Sequence, residues 1–319
     1  MTGLIPCQMN DRKNPLFIIT LFLTLALAYG KDSVSSVGDE IIGCLVDCST
    51  FVTDTDVSLR VISLNLYHGY PEFRNLGERL QLVTDQIRKS DADIVFLQEV
   101  PWHGKVGLAA ESLAASLGFN FVYVRANGNY STIRFEEGLA ILSRFPLHSP
   151  VHTEIRPKSA GFENRAALGV TVDVNGNKIN LVTTHLTRRK NLELNAAQAQ
   201  SLMEFVESLG TRPAIVAGDF NADETSPQIR ALNEEWMDAY RIANPGIHGP
   251  TCCLRRDRLD QEDPGQPRVR VDYVFLVPNG SDWLVERAEQ IFNLPRKDDN
   301  GFIWASNHIG VLVDTLLIN

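Results

Sequence analysis

Apolar and polar positions follow two periods along this chain. LRVISLNL (Leu59–Leu66) is short, apolar and branched, which predicts a strand. Leu76, Leu80, Val83 and Ile87 then recur at the three- and four-residue spacing of one helix face. DIVFLQEV (Asp93–Val100) predicts a second buried strand, and residues 105–117, rich in alanine, a second helix. FNFVYVRA, EGLAILSR, RAALGVTVDV and KINLVTTHL follow as strands between Gly, Asn and Pro turns. Leu202, Phe205, Val206 and Leu209 mark another helix, and PAIVAGDF, VDYVFLV and GVLVDTLL the remaining strands. A purely parallel sheet needs a crossover for every pair. The run of strands without intervening helices therefore predicts mixed sheets covered by helices, an α/β fold. The expected organisation is a polar leader over 31–57 and one domain over 58–319, with no internal repeat. Within it, 244–268 carries Pro245, Pro250, Pro264 and Pro267 and reads as a long functional loop.

Composition changes this picture at the N-terminus. The 319 residues are 44% hydrophobic and 22% charged, as in globular proteins. A net charge of -9 argues against broad electrostatic capture of nucleic acid but leaves room for local basic patches. Arg12 and Lys13 precede PLFIITLFLTLALAYG, and small residues end the run. This is the pattern of a secretory signal over residues 1–30. The apolar run is shorter than the ~20 residues of a membrane span, so a cleaved signal is favoured over an N-terminal anchor, and the protein is expected to be secreted or periplasmic. Cys44, Cys48, Cys252 and Cys253 then remain. An even count in an exported chain predicts disulfides, with three pairings open; the expected tie joins the mature N-terminus to the 245–268 loop. Zinc is the rival reading, but adjacent cysteines lack the usual two-residue ligand gap.

Several strands end in polar residues that a buried strand would not choose. These are Asn65, Glu99, Glu137, His185, Asp219, Asn221, Asp272 and the pair Asn307–His308. Each has a structural explanation taken singly. Glu99 could cap the next segment, GDFNAD could be an Asp/Asn turn, Asp272 could pair with Arg270, and His185 could be a satisfied core histidine. Strand ends on one side of a sheet gather into a shared crevice. Together these residues would bring carboxylates, amides and two histidines to one place.

The ordered set resembles the endonuclease/exonuclease/phosphatase superfamily, from about Leu59 to Leu317. QE, GDFN and the terminal S-N-H carry most of the likeness. The resemblance implies a four-layer α/β sandwich, two mixed β-sheets face to face with helices outside. It also implies a metal-dependent phosphoesterase using Mg2+, with Mn2+ as a substitute. Glu99 would hold the cation, with Asn65 lending an amide oxygen or orienting the shell. Asp219 would take the proton of the attacking water, with Asn221 holding water or phosphate. His185 and His308 would donate to the phosphoryl oxygens, with Asp272 behind His308 and Glu137 behind His185. The resemblance implies Asp before the final His, as in most relatives, where it contributes to the metal site. Asn307 stands there in this chain, so cation affinity should fall.

The expected substrate is a phosphodiester: nucleic acid first, then a phospholipid headgroup as in sphingomyelinases, or an inositol phosphate. Arg188, Arg189, Lys190, Arg255, Arg256, Arg258, Arg268 and Arg270 could grip phosphates. Asp257, Asp260, Glu262 and Asp263 lie among the later ones and could equally balance them in a solvated loop. The chain is expected to act as a monomer without an obligate protein partner. A catalytically silent binding protein, marked by Asn307, is the alternative from another class.

Overall fold

The computed structural model describes residues 37–38, 40–43 and 56–318, except 160, 162, 189, 190 and 300. The signal-like segment, most of the 31–57 leader, Cys44, Cys48, Arg189 and Lys190 lie outside the described residues. Sixteen strands follow in chain order among them. The first half contains β1 (Glu40–Gly43), β2 (Val57–Asn65), β3 (Ile94–His103), β4 (Gly107–Leu108), β5 (Asn120–Asn129), β6 (Phe135–Ser143), β7 (Leu147–Glu154) and β8 (Ala166–Val174). The second contains β9 (Asn177–His185), β10 (Ala214–Asp219), β11 (Met237–Asp238), β12 (Asp272–Val277), β13 (Asp282–Ile291), β14 (Arg296–Asp298), β15 (Gly301–Ile303) and β16 (Gly310–Ile318). The helices are α1 (Leu76–Ser90), α2 (Ala109–Leu117), α3 (Tyr130–Ile133), α4 (Leu192–Ser208), α5 (Pro227–Glu235) and α6 (Ala239–Ala243).

Two sheets form the body. One has the order β1-β5-β6-β3-β2-β16-β13, with β4 attached to β3; the other runs β11-β12-β10-β9-β8-β7. Each is mixed, because β2 pairs parallel to β3 and β9 parallel to β10 while their other neighbours are antiparallel.

Period-two alternation sorts the side chains into three cores. Val57, Leu59 and Val61 join Leu168, Ile179, Ile215 and Val274 between the sheets. Ile62 and Leu64 face the other way, onto Leu80, Val83 and Ile87 of α1 and Leu113 of α2. Val216 and Phe275 likewise face Leu202 and Val206 of α4 and Ile229 of α5. The layers are therefore helix, sheet, sheet, helix, the α/β sandwich expected. Burying these apolar faces on both sides of each sheet is the main drive for the arrangement.

The strands missing from the sequence reading lie mostly at edges, and the short helices α3, α5 and α6 were not read either. β1, β13, β11 and β7 end the two sheets. An edge is half-solvated and tolerates charge and proline. Hence DWLVERAEQI of β13 and LHSPVHTE of β7 lack a strand's apolar signature. Residues 40–43, expected to be part of a loose leader, pair with Phe121–Val124 of β5. The helix expected over 105–117 begins only at Ala109, since Gly107 and Leu108 pair back onto His103 and Trp102.

Gly218 lies in β10 against Thr184 of the parallel strand β9. A Cβ there would stand 2.1 Å from the carbonyl oxygen of Thr184. The glycine of GDFN thus lets Asp219 sit beside His185. Gly218→Ala should destabilise the fold by about 2 kcal/mol or more, read as a lowered urea midpoint; an unchanged midpoint would contradict the close approach.

Candidate active site

Strand register brings the chemistry to one end of both sheets. Asp219 ends β10 directly opposite His185, which ends β9, and Asp272, which begins β12. In the facing sheet Asn65 ends β2 opposite Gln98, and Glu99 follows in a bulge of β3. His308 precedes β16, whose Val311 pairs with Ser63 of β2. Six residues far apart in sequence thus become neighbours.

Asn65 links the sheets. Its Nδ2 donates to Asp219 Oδ2 at 3.1 Å and to Glu99 Oε1 at 3.3 Å. Its Oδ1 accepts from the Tyr67 N–H at 2.9 Å. Carboxylates accept and an N–H donates, so these partners fix which end of the amide points where. Asn65 therefore orients Glu99 and Asp219 through its nitrogen. Glu99 has a positive φ of 50°, and Asn221 one of 53°. Such strain in non-glycine residues gathers at functional sites. Burial pushes the Glu99 carboxyl up, but His68, His308 and the Asn65 amide outweigh it and hold it below its ordinary range.

The two histidines differ. His308 Nδ1 donates to Asp272 Oδ2 at 2.9 Å, and its Nε2 lies 3.8 Å from Asp219 Oδ2. Burial would lower its pKa, but the carboxylates of Asp272 and Asp219 dominate and push it up to about 9. His185 Nε2 is 3.0 Å from Asn221 Nδ2 and 3.3 Å from Asp219 Oδ2. Asn221 Nδ2 also donates to the Leu186 carbonyl at 3.0 Å, so it is the nitrogen that faces this ring and His185 Nε2 accepts. Burial, with the Arg165 and His308 charges, pushes the His185 pKa well down. It is a neutral ring, where a charged donor was expected. Asp219 moves up, from burial and from Asp272 beside it.

Two other expected roles change. Glu137 does not stand behind His185; its Oε1 accepts from Asn127 Nδ2, and the carboxylate at the His185 ring is Asp219. Burial raises the Glu137 carboxyl to about 7. Arg270 does not reach a phosphate site: it is 1% exposed and bonded to Asp238 and Glu224. Asn307 is buried, with its backbone carbonyl held by Leu254 N–H and its Nδ2 unpartnered. Cys252 and Cys253 are joined to each other as a vicinal disulfide, not to the leader.

A cleft of about 500 Å³ opens over this cluster. Glu99, His185, Asp219, Asn221 and His308 face it, with Arg188, Arg255, Arg256 and Arg268 around them. Some residues that shape the site gave no signal in the sequence. Arg79, wholly buried, donates to the carbonyls of Leu66, Tyr67 and Ala305, tying the loop after Asn65 to the segment before His308. Ser306 Oγ donates to the Asn65 carbonyl at 2.6 Å and accepts from His308 N–H. Thr251 Oγ1 accepts from the Val271 and Asp272 N–H groups. His68 N–H donates to Glu99 Oε2 at 3.3 Å. Only an alignment by contact, not by spacing, could have found them.

The model of the Endonuclease/Exonuclease/phosphatase family matches residues 62–308. The chain belongs to that family. Its members are hydrolases that act on phosphoester bonds. Solved structures agree on the fold. A family protein from Bacteroides thetaiotaomicron is 18% identical with a TM-score of 0.65, covering 83% of this chain and 99% of its own. Truncated Caenorhabditis elegans TDP2 is 17% identical with a TM-score of 0.61, covering 82% and 98%. A family protein from Beutenbergia cavernae is 23% identical with a TM-score of 0.60, covering 82% and 72%. No curated protein matches the chain in sequence.

The raised pKa of His308 links protonation to stability. The folded chain keeps this proton up to about pH 9, whereas an unfolded histidine releases it near ~6.5. The contribution is complete below the lower value and is lost as pH rises through the upper one. In chelator, urea stability should therefore fall between these limits, and His308→Gln should flatten that fall. An equally steep decline in the variant would refute the assignment.

Proposed function

We propose that this chain is an exported phosphodiesterase that uses a divalent cation, Mg2+ with Mn2+ as a substitute, on nucleic-acid phosphodiesters ahead of phospholipid headgroups or inositol phosphates. One observation carries the reading: Glu99, Asp219 and His308 meet in a single cleft lined by four arginines.

The donor set suits a hard cation. Glu99 is ionised, buried and held by Asn65, and carboxylate oxygen is what Mg2+ prefers. Asn307 has one unpartnered amide end, and a half-turn of the amide exchanges its oxygen and nitrogen. Glu99 would hold the cation, with the Asn307 oxygen as a second donor and Asn65 positioning both carboxylates. A bound cation would neutralise phosphoryl charge and steady the leaving oxygen.

The other groups divide the remaining work. Asp219, raised by burial and by Asp272, is suited to accept the proton of the attacking water. His308, charged and braced by Asp272, donates from Nε2 to a phosphoryl oxygen as negative charge builds. His185 is neutral and accepts from Asn221, and together they flank Asp219. The arginines bind phosphates on either side of the scissile group.

Two features support nucleic acid over the other substrates. Beyond Glu99 the cleft continues to a cavity lined by His68, Phe135, Glu137, Arg165 and Arg188. Phe135 packs on Tyr70, ring centroids 4.6 Å apart, and Tyr70 is 48% exposed. Exposed aromatic faces beside arginines suit stacked bases. Export is supported by the N-terminal segment and by the Cys252–Cys253 disulfide, which suits an oxidising compartment. The chain is read as acting alone, as a monomer.

The test is hydrolysis of single-stranded DNA, plasmid DNA, sphingomyelin vesicles and a chromogenic phosphodiester, with and without Mg2+. Metal-dependent, salt-sensitive cleavage of DNA is expected, reduced about 100-fold or more in His308→Ala. Absence of turnover on all four at millimolar metal would overturn the reading. Asn307→Asp restores a charge at the cation, so it should lower the Mg2+ concentration giving half-maximal rate. An unchanged metal requirement would remove Asn307 from the site.

A further inference from the structure

Cys252 and Cys253 take no part in the chemistry above, yet both line the cleft beside His308. Backbone bonds keep them there. Ile309 N–H donates to the Thr251 carbonyl and Leu254 N–H to that of Asn307, each at 2.8 Å, and Cys252 bridges to both Val269 and His308. Cys253 Sγ lies 3.9 Å from His308 Nε2. The two sulfurs and a His308 nitrogen offer three ligand atoms within 4.8 Å of one another. Cys253 is exposed and Cys252 half-buried, so solutes reach them.

Two thiolates and an imidazole form a soft donor set, unlike the oxygen set around Glu99. Adjacent cysteines lack the two-residue gap of a four-cysteine zinc site, but His308 brings a third donor from another segment, so the set suits Zn2+ or Cd2+ and is poor for Mg2+. His308 already carries the outer contact that metal-bound histidines have: its Nδ1 donates to Asp272, leaving Nε2 to face the sulfurs. We propose that Cys252, Cys253 and His308 form a redox-gated site for a thiophilic divalent cation, filled when the cysteine pair is reduced and closed when it is oxidised. Resting on the phosphodiesterase reading, filling this site withdraws His308 from catalysis.

The steps balance. A dithiol reductant passes two electrons and two protons to the Cys252–Cys253 bond, leaving two thiols and its own cyclic disulfide. The cation then forms two bonds to sulfur and one to His308 Nε2. Each thiol releases a proton, as does the imidazolium where it is charged. In the disulfide neither sulfur can become a thiolate, so the soft site is absent and His308 stays available.

The full chain, reduced with a dithiol and freed of it by desalting, is titrated with Cd2+ in excess Mg2+ while the ultraviolet thiolate-to-cadmium absorbance is read. One equivalent should bind to the reduced chain through this site, and the band should be missing from the oxidised chain. It should be lost in Cys253→Ser and in Cys253→Ala, two changes at an exposed position, and kept in the Cys44→Ser/Cys48→Ser double variant. Asp272→Asn should weaken Cd2+ binding about 10-fold. A band that survives both Cys253 changes, or that vanishes with Cys44 and Cys48, overturns the site. On a substrate that is cleaved, Cd2+ should inhibit the reduced enzyme and spare the oxidised one; binding with unchanged turnover overturns the gating. The cadmium band needs no substrate, so failure of the phosphodiesterase reading and failure of this site give different results.

Discussion

Asp219 is a carboxylate with 1% of its surface exposed, and the site is arranged around that fact. A buried charge survives only among donors and opposite charges. Asn65 supplies a donor from the facing sheet, the Asn221 N–H a second at 2.9 Å, and His308 the positive charge. Asp272 raises Asp219 by repulsion and at the same time charges His308. The same few contacts therefore hold the two sheets together at this end and set the protonation of the groups proposed to act there.

Keeping this cluster in place uses backbone as much as side chain. Glu99 and Asn221 take left-handed conformations, Glu99 within a bulge that re-aims it. Arg79 spends its guanidinium on three carbonyl groups and Ser306 its hydroxyl on a fourth. The end of β2 and the segment before β16, far apart in sequence, are tied to each other by these bonds. Precise placement of this kind matters because small displacements of reacting groups are costly in rate.

Arginines near one another in sequence are put to opposite uses. Arg270 is withdrawn into an ion-pair network with Asp238 and Glu224, where it braces β12 against the turn after β10. Arg255, Arg256 and Arg268 instead face the cleft. Arg256 also lies over the Tyr67 ring, 5.2 Å from its centroid. A protein of net charge -9 can thus hold a locally basic site for an anionic substrate.

The sequence by itself determined the interior strands, the principal helices and the layered α/β architecture, because burial on both faces imposes periods that survive in the chain. It also marked Asn65, Glu99, His185, Asp219, Asn221, Asp272 and Asn307–His308 as out of place at strand ends. Tertiary structure alone decided how they pair. Glu137 turned to Asn127, Asp219 took the position beside His185, and Asn65 presented its nitrogen to two carboxylates. Those outcomes depend on register and on which sheet faces which, and neither is written in local spacing. Edge strands were hidden for a related reason: a solvated edge has no required pattern.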